Sequence, residues 1–172
     1  MSELKKCDRP DRSVKSIRIL GCGNPLMGDD GVGIRVIGEL KKTHLNDMGG
    51  VEIIDAGVCG LDLLNLFEGA DKVIIVDAVV SGGGSGCEIG SIHRFSGDEL
   101  KEGGLQEIFS VHDIGISDVL NIGEHVQKMP DVVVFGIEIQ MKYELSMELT
   151  KNALDAVEVA IGMVLDEVLK GS

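Results

Sequence analysis

Short apolar runs recur along the chain, separated by segments whose apolar positions return every three or four residues. Residues 16–20 alternate and are rich in isoleucine, which predicts a short strand, and residues 51–55 predict a second. Residues 72–80 (KVIIVDAVV) are almost wholly apolar and β-branched around one aspartate, as in a strand covered on both faces. Residues 132–139 read as another buried strand, and 88–95 alternate like an edge strand. Between them, Ile34, Ile37 and Leu40 predict a helix over 30–43, and residues 61–67 predict a short one. Ser110 and Asp113 match a helix-start pattern and predict a helix over 110–128. Ser146 is the predicted cap of a long final helix, with Leu149, Ala153, Val157, Ala160, Val164 and Val168 as its apolar stripe.

Strands alternating with helices predict an α/β fold. It has three α/β/α layers and a mostly parallel twisted sheet, with room for one antiparallel edge strand. Right-handed crossovers then bring the loops that follow the strands to one carboxyl edge, where functional residues of such folds gather. Residues 1–15 are polar and read as a flexible leader; residues 16–172 read as a single α/β domain.

Charge and composition narrow the function. Sixteen basic against 29 acidic side chains give a net charge of −13, which repels nucleic-acid backbones. With no Trp, one Tyr and four Phe, there is little material for base stacking. No apolar run approaches the ~18 residues of a membrane span, and the N-terminal residues lack a secretory core. The expectation is a cytoplasmic protein with no nucleic-acid or membrane partner. Four widely spaced cysteines without a C-x-x-C pair read as four reduced thiols. Glycine is in excess, 24 of 172 residues, and clusters where strands end, as tight turns and close backbone approach require.

The densest such cluster is GCGNPLMGDDGVG, residues 21–33. It lacks the third glycine of a dinucleotide fingerprint, and where a phosphate loop needs Lys and Ser it has Asp29 and Asp30. Two carboxylates at a helix start suit its dipole but repel phosphate. One aspartate there is an ordinary cap; a pair is harder to account for. Asp77 interrupts an apolar strand, where an ionised carboxylate is costly unless partnered. It either caps a turn or points into a site. Asp55 holds the same position after the second strand, and its Asp-Ala-Gly context reads as a turn cap. His112, in the first turn of the predicted helix, is disfavoured as an imidazolium and keeps a lone pair available. His44, His93 and His125 read as surface residues. In a 2-1-3 strand order, Asp30, Asp77 and His112 would flank the switch-point crevice as a mixed O/N site for a divalent transition metal.

Residues 21–36 (GCGNPLMGDDGVGIRV), 76–79 (VDAV) and 110–120 (SVHDIGISDVL) resemble the hydrogenase maturation endopeptidases, in order and across nearly all of the predicted domain. The acidic, glycine-rich form also resembles the archaeal branch serving coenzyme F420-reducing hydrogenase. The resemblance implies an aspartyl-rich, metal-binding protease that trims the C-terminal extension of a [NiFe] hydrogenase large-subunit precursor. It places the metal-contacting and catalytic residues on Asp30, Asp77 and His112, with Asp55 in support. It further implies that the nickel comes with the precursor, and that the free protein holds no tightly bound metal. Relatives often carry Pro-Glu after the last strand; here the segment is Glu138, Ile139, Gln140 and Met141, so substrate contacts from that loop do not carry over. Two other function classes remain: a non-catalytic nickel-binding assembly factor, and a small-molecule α/β enzyme, which the paired aspartates disfavour.

Overall fold

A computed structural model of the chain describes residues 15–58, 60–81, 87–102, 108–110, 115–142 and 144–171. The predicted leader lies outside the described residues except for Lys15. Among the described residues six strands form one sheet: β1 (Ile17–Cys22), β2 (Val51–Gly57), β3 (Lys72–Ser81), β4 (Ile92–Ser96), β5 (Ile108–Ser110) and β6 (Asp131–Glu138). Their order is β2-β1-β3-β6-β4, with β5 also paired to β3. The first four of these are parallel, β4 is antiparallel to β6, and β5 is antiparallel to β3. The expected 2-1-3 order and three-layer architecture are therefore present, with two antiparallel strands rather than one.

Alternation along the strands divides the core. Ile17 and Ile19 of β1, Ile74 and Val76 of β3, and Val133 and Phe135 of β6 face helices α1 (Val32–Leu40) and α5 (Lys151–Gly171). Leu20, Val73, Ile75, Val132 and Val134 face the opposite layer, which holds α2 (Leu63–Phe67) and α4 (Ile116–Val126). Helix α5 buries Ala153, Ala156, Val157, Ala160, Val164 and Val168, so the predicted stripe is its core face, with Leu149 partly buried beside it. Each buried valine there is worth about 1.5 kcal/mol or more of transfer free energy. No helix among the described residues is long and apolar enough to cross a membrane.

Several predicted boundaries move. The segment predicted as helix from residue 30 opens with a 3-10 turn, Gly28–Gly31, before α1. Ser110 does not cap a helix: it ends β5, and α4 begins at Ile116, where the Asp118 carboxylate accepts the Gly115 N–H at 3.2 Å. Ser146 is not the cap of α5 either. Its backbone pairs with the glycine-rich loop, Gly28 N–H donating to Ser146 O at 2.7 Å and Ser146 N–H to Leu26 O at 2.9 Å. Strand β5 and the short helix α3 (Gly97–Lys101) were not anticipated.

Candidate active site

The glycine loop is folded by close approach rather than by freedom alone. A Cβ on Gly33 would stand 2.2 Å from Cys22 O and 2.4 Å from Val76 O. Only a residue without a side chain lets the start of α1 rest on the carboxyl end of β1 and the middle of β3 together. Gly23, at φ +126°, would meet Asp30 O at 1.9 Å. These contacts press the 3-10 turn that carries Asp29 and Asp30 against the sheet edge, where it packs on β3.

The two neighbouring aspartates have separate tasks. Asp29 accepts the Thr150 N–H at 2.6 Å and the Thr150 hydroxyl at 2.8 Å, so its carboxylate caps the start of α5 from across the fold. Asp30 is buried, and its Oδ2 accepts the Asn24 N–H at 2.9 Å, which closes the loop on itself. The pair that a single helix start could not account for thus splits into one long-range cap and one residue of the loop interior.

Asp77 is fully buried, and its Oδ1 accepts the Ala78 N–H at 2.9 Å. It lies inside its strand, as the predicted run over 72–80 implies, because β3 continues to Ser81. What ends beside it is the neighbouring strand. Among the described residues, the β1 register reaches Gly21 opposite Val76, and β5 pairs with β3 at Val79, opposite Ser110, through Ser81. Asp77 therefore lies between the β1 and β5 pairings seen among the described residues, while Gly136 of β6 stands beside it on the other side. Asp55 is exposed, and its Oδ1 accepts the Gly57 N–H at 3.0 Å, the expected turn cap. His112 lies outside the described residues. A cleft of about 150 Å³ opens beside Asp30, walled partly by Ile139 and Gln140, the segment that departs from the Pro-Glu pattern.

A model of the hydrogenase maturation protease family (HycI) matches residues 34–167. The chain belongs to that family. A candidate hydrogenase maturation protease of Methanocaldococcus jannaschii is 35% identical over 162 residues, covering 91% of this chain and 98% of that one. The hydrogenase 2 maturation protease of Escherichia coli is 30% identical over 150 residues, covering 87% and 88%. Among solved structures, the maturating endopeptidase HybD of Escherichia coli superposes with a TM-score of 0.71 at 25% identity, covering 91% of this chain and 94% of that one. HybD of Thermococcus kodakarensis gives 0.71 at 27% identity, covering 88% and 97%. The expected family, fold and peptide-hydrolase class are all met.

Cys22 is fully buried and disulfide-bonded, so the chain does not carry four reduced thiols. Spacing along a chain does not show which sulfurs meet in space. His44 and His125 are exposed as expected, but His93 is three-quarters buried and stacked on Phe95.

Proposed function

We propose that this chain is a cytoplasmic endopeptidase that removes the C-terminal extension of a [NiFe] hydrogenase large-subunit precursor once nickel is in place. Family membership supports the reaction class. The observation that carries the site assignment is the fully buried Asp77 within the otherwise apolar β3, with the Asp30 turn packed on the same strand. The third residue, His112, rests on the resemblance of residues 110–120 to the family's motif.

Asp30, Asp77 and His112 would hold the substrate's nickel, two carboxylates and an imidazole suiting a borderline divalent ion and leaving positions open for the precursor's own ligands. The ion supplies positive charge that lets neighbouring buried carboxylates ionise together. The chain's own part is to present them rigidly. Asn24 N–H and Ala78 N–H each hold one carboxylate oxygen, and Gly33 keeps the loop against the sheet. Without the ion, two carboxylates repel, and a precursor lacking nickel is not seated.

The test is incubation with nickel-loaded and nickel-free precursor, using protease stripped by a chelator that is then removed. Cleavage of the loaded precursor alone, unaffected by stripping, is the expected result. A stripped enzyme revived by zinc on nickel-free precursor would make this an ordinary metalloprotease. Tight binding of loaded precursor without any cleavage would make it a nickel-binding assembly factor.

A further inference from the structure

A second constellation of ligand atoms stands at the same sheet edge, and the reading above does not use it. Cys87 Sγ, a His93 ring nitrogen and a Glu138 carboxylate oxygen all lie within 4.8 Å of one another. Glu138, the last residue of β6, is buried; Cys87 and His93 are partly buried, and Cys87 is a free thiol. We propose that Cys87, His93 and Glu138 form a binding site for a soft or borderline divalent transition ion of the zinc type, separate from the Asp30, Asp77 and His112 site.

The scaffold is tied for this purpose. Gly90 N–H donates to Glu138 O at 2.8 Å, and Glu138 N–H donates to Ser91 O at 2.9 Å. The turn after Cys87 is thus hydrogen-bonded to the residue that supplies the carboxylate, and β4 delivers His93 alongside it by antiparallel pairing to β6. His93 is further oriented by its stack on Phe95, at 6.0 Å between ring centroids. His93 Nε2 and Glu138 Oε2 are 4.0 Å apart. Bonds of ~2.0–2.3 Å in a tetrahedral site separate neighbouring ligand atoms by about 3.4–3.6 Å. A shift of about half an ångström, within the reach of side-chain torsions, brings them to that spacing. Ser91 Oγ lies 3.2 Å from Nε2, and an ion at that nitrogen displaces this contact at a cost of only about 1 kcal/mol.

The donor set decides the ion. A thiolate and an imidazole favour zinc, cobalt or nickel and discriminate against magnesium and calcium, which want oxygen. Three protein ligands leave a fourth position for water or an exchanging ligand. The two sites share no ligand. Asp77, Gly136 and His93 share one rung of the sheet, so Asp77 and His93 are two strand spacings, about 10 Å, apart, and Glu138, opposite Val79, is the ligand nearest β3.

Full-length protein titrated with cobalt(II) and zinc(II) tests the proposal without any protease assay. One equivalent of cobalt should produce a thiolate-to-cobalt charge-transfer band, lost in Cys87→Ser and requiring at least tenfold more cobalt in Glu138→Gln. Zinc should slow alkylation of Cys87 at least tenfold, read on its own peptide by mass spectrometry. His93→Ala should abolish that protection, while Asp30→Asn with Asp77→Asn should leave it intact. A charge-transfer band that survives Cys87→Ser, protection that disappears with the two aspartates, or no protection at all would overturn it. Partly buried Cys87 and His93 tolerate substitution, and a far-ultraviolet dichroism spectrum matching wild type certifies each variant.

Discussion

Glu167 of α5 is the test case for how this acidic chain holds its sheet. It is buried, and it accepts from Lys72 Nζ at 2.5 Å, from Arg94 Nε at 3.0 Å and from Arg94 Nη2 at 3.1 Å. One carboxylate thereby ties the final helix to β3 and β4, whose strands are otherwise separated by β6. Hydrogen bonds from Arg94, then Lys72, hold its pKa down from 4.5 to about 2, against the opposing effect of burial. A drop of that size corresponds to about 3 kcal/mol of native-state stabilisation. The folded pKa is depressed, so this stability is fully present above the unfolded value of about 4.5 and is lost as pH falls towards about 2. Glu167→Gln keeps the shape and one acceptor oxygen but leaves Lys72, itself buried, without its closest counter-charge; Asp131 Oδ2 is 3.7 Å away. The expected cost is about 3 kcal/mol near neutral pH, a fall in Tm of roughly 6–12 °C for a domain of this size. Denaturant titrations of wild type and variant should show the difference shrinking by about 2 kcal/mol between pH 7 and about pH 3. Precursor processing should be unaffected, because Lys72 precedes Asp77 by five residues of strand, about 16 Å. A difference that stays constant across that pH range, or is below about 0.5 kcal/mol throughout, would refute the reasoning.

Asp77→Asn retains an oxygen for the Ala78 amide and removes a buried charge, so stability should stay within about 1 kcal/mol of wild type while processing falls at least a hundredfold. Unfolding instead of inactivation would make Asp77 structural. His112→Ala should lose processing to the same degree with an unchanged melting curve. Gly33→Ala forces a methyl group onto Cys22 O and Val76 O; a loss of about 3 kcal/mol in urea titrations is expected, together with reduced processing. Asp29→Ala removes both bonds to Thr150, and a cap of that kind is worth about 1–2 kcal/mol, measurable by the same titration.

The long strands were legible because a strand buried on both faces has to be apolar throughout: β3 and β6 announce themselves, and so does a charge inside one, which is how Asp77 was found. Strand β5 was not legible. Its three residues are a strand only because β3 offers a free flank beyond β1, a fact of tertiary pairing. Ser110 was read as a cap on the same kind of four-residue pattern that Ser96 and Glu99 do satisfy at α3, where the Ser96 side chain accepts the Glu99 N–H and the Glu99 carboxylate accepts the Ser96 N–H. Such a pattern fits several places, and packing selects among them. Asp30 was reachable from the loop, but the meaning of Asp29 was not, since its partner is 121 residues away. The Cys87, His93 and Glu138 group was invisible for the same reason: only antiparallel pairing of β4 with β6 sets an ordinary-looking histidine beside the last residue of a buried strand.

The bond from Asp29 to Thr150 has a consequence for the order of assembly. It closes a loop of 121 residues, and contacts of such separation form late, after the shorter closures that build the sheet. During synthesis the glycine-rich turn emerges early, yet its outer tether does not exist until the start of α5 has left the ribosome. The loop that presents Asp30 is thereby fastened by a segment that arrives 121 residues after Asp29. A nascent or prematurely terminated protein lacks that fastening, so an incomplete peptidase is an unarmed one.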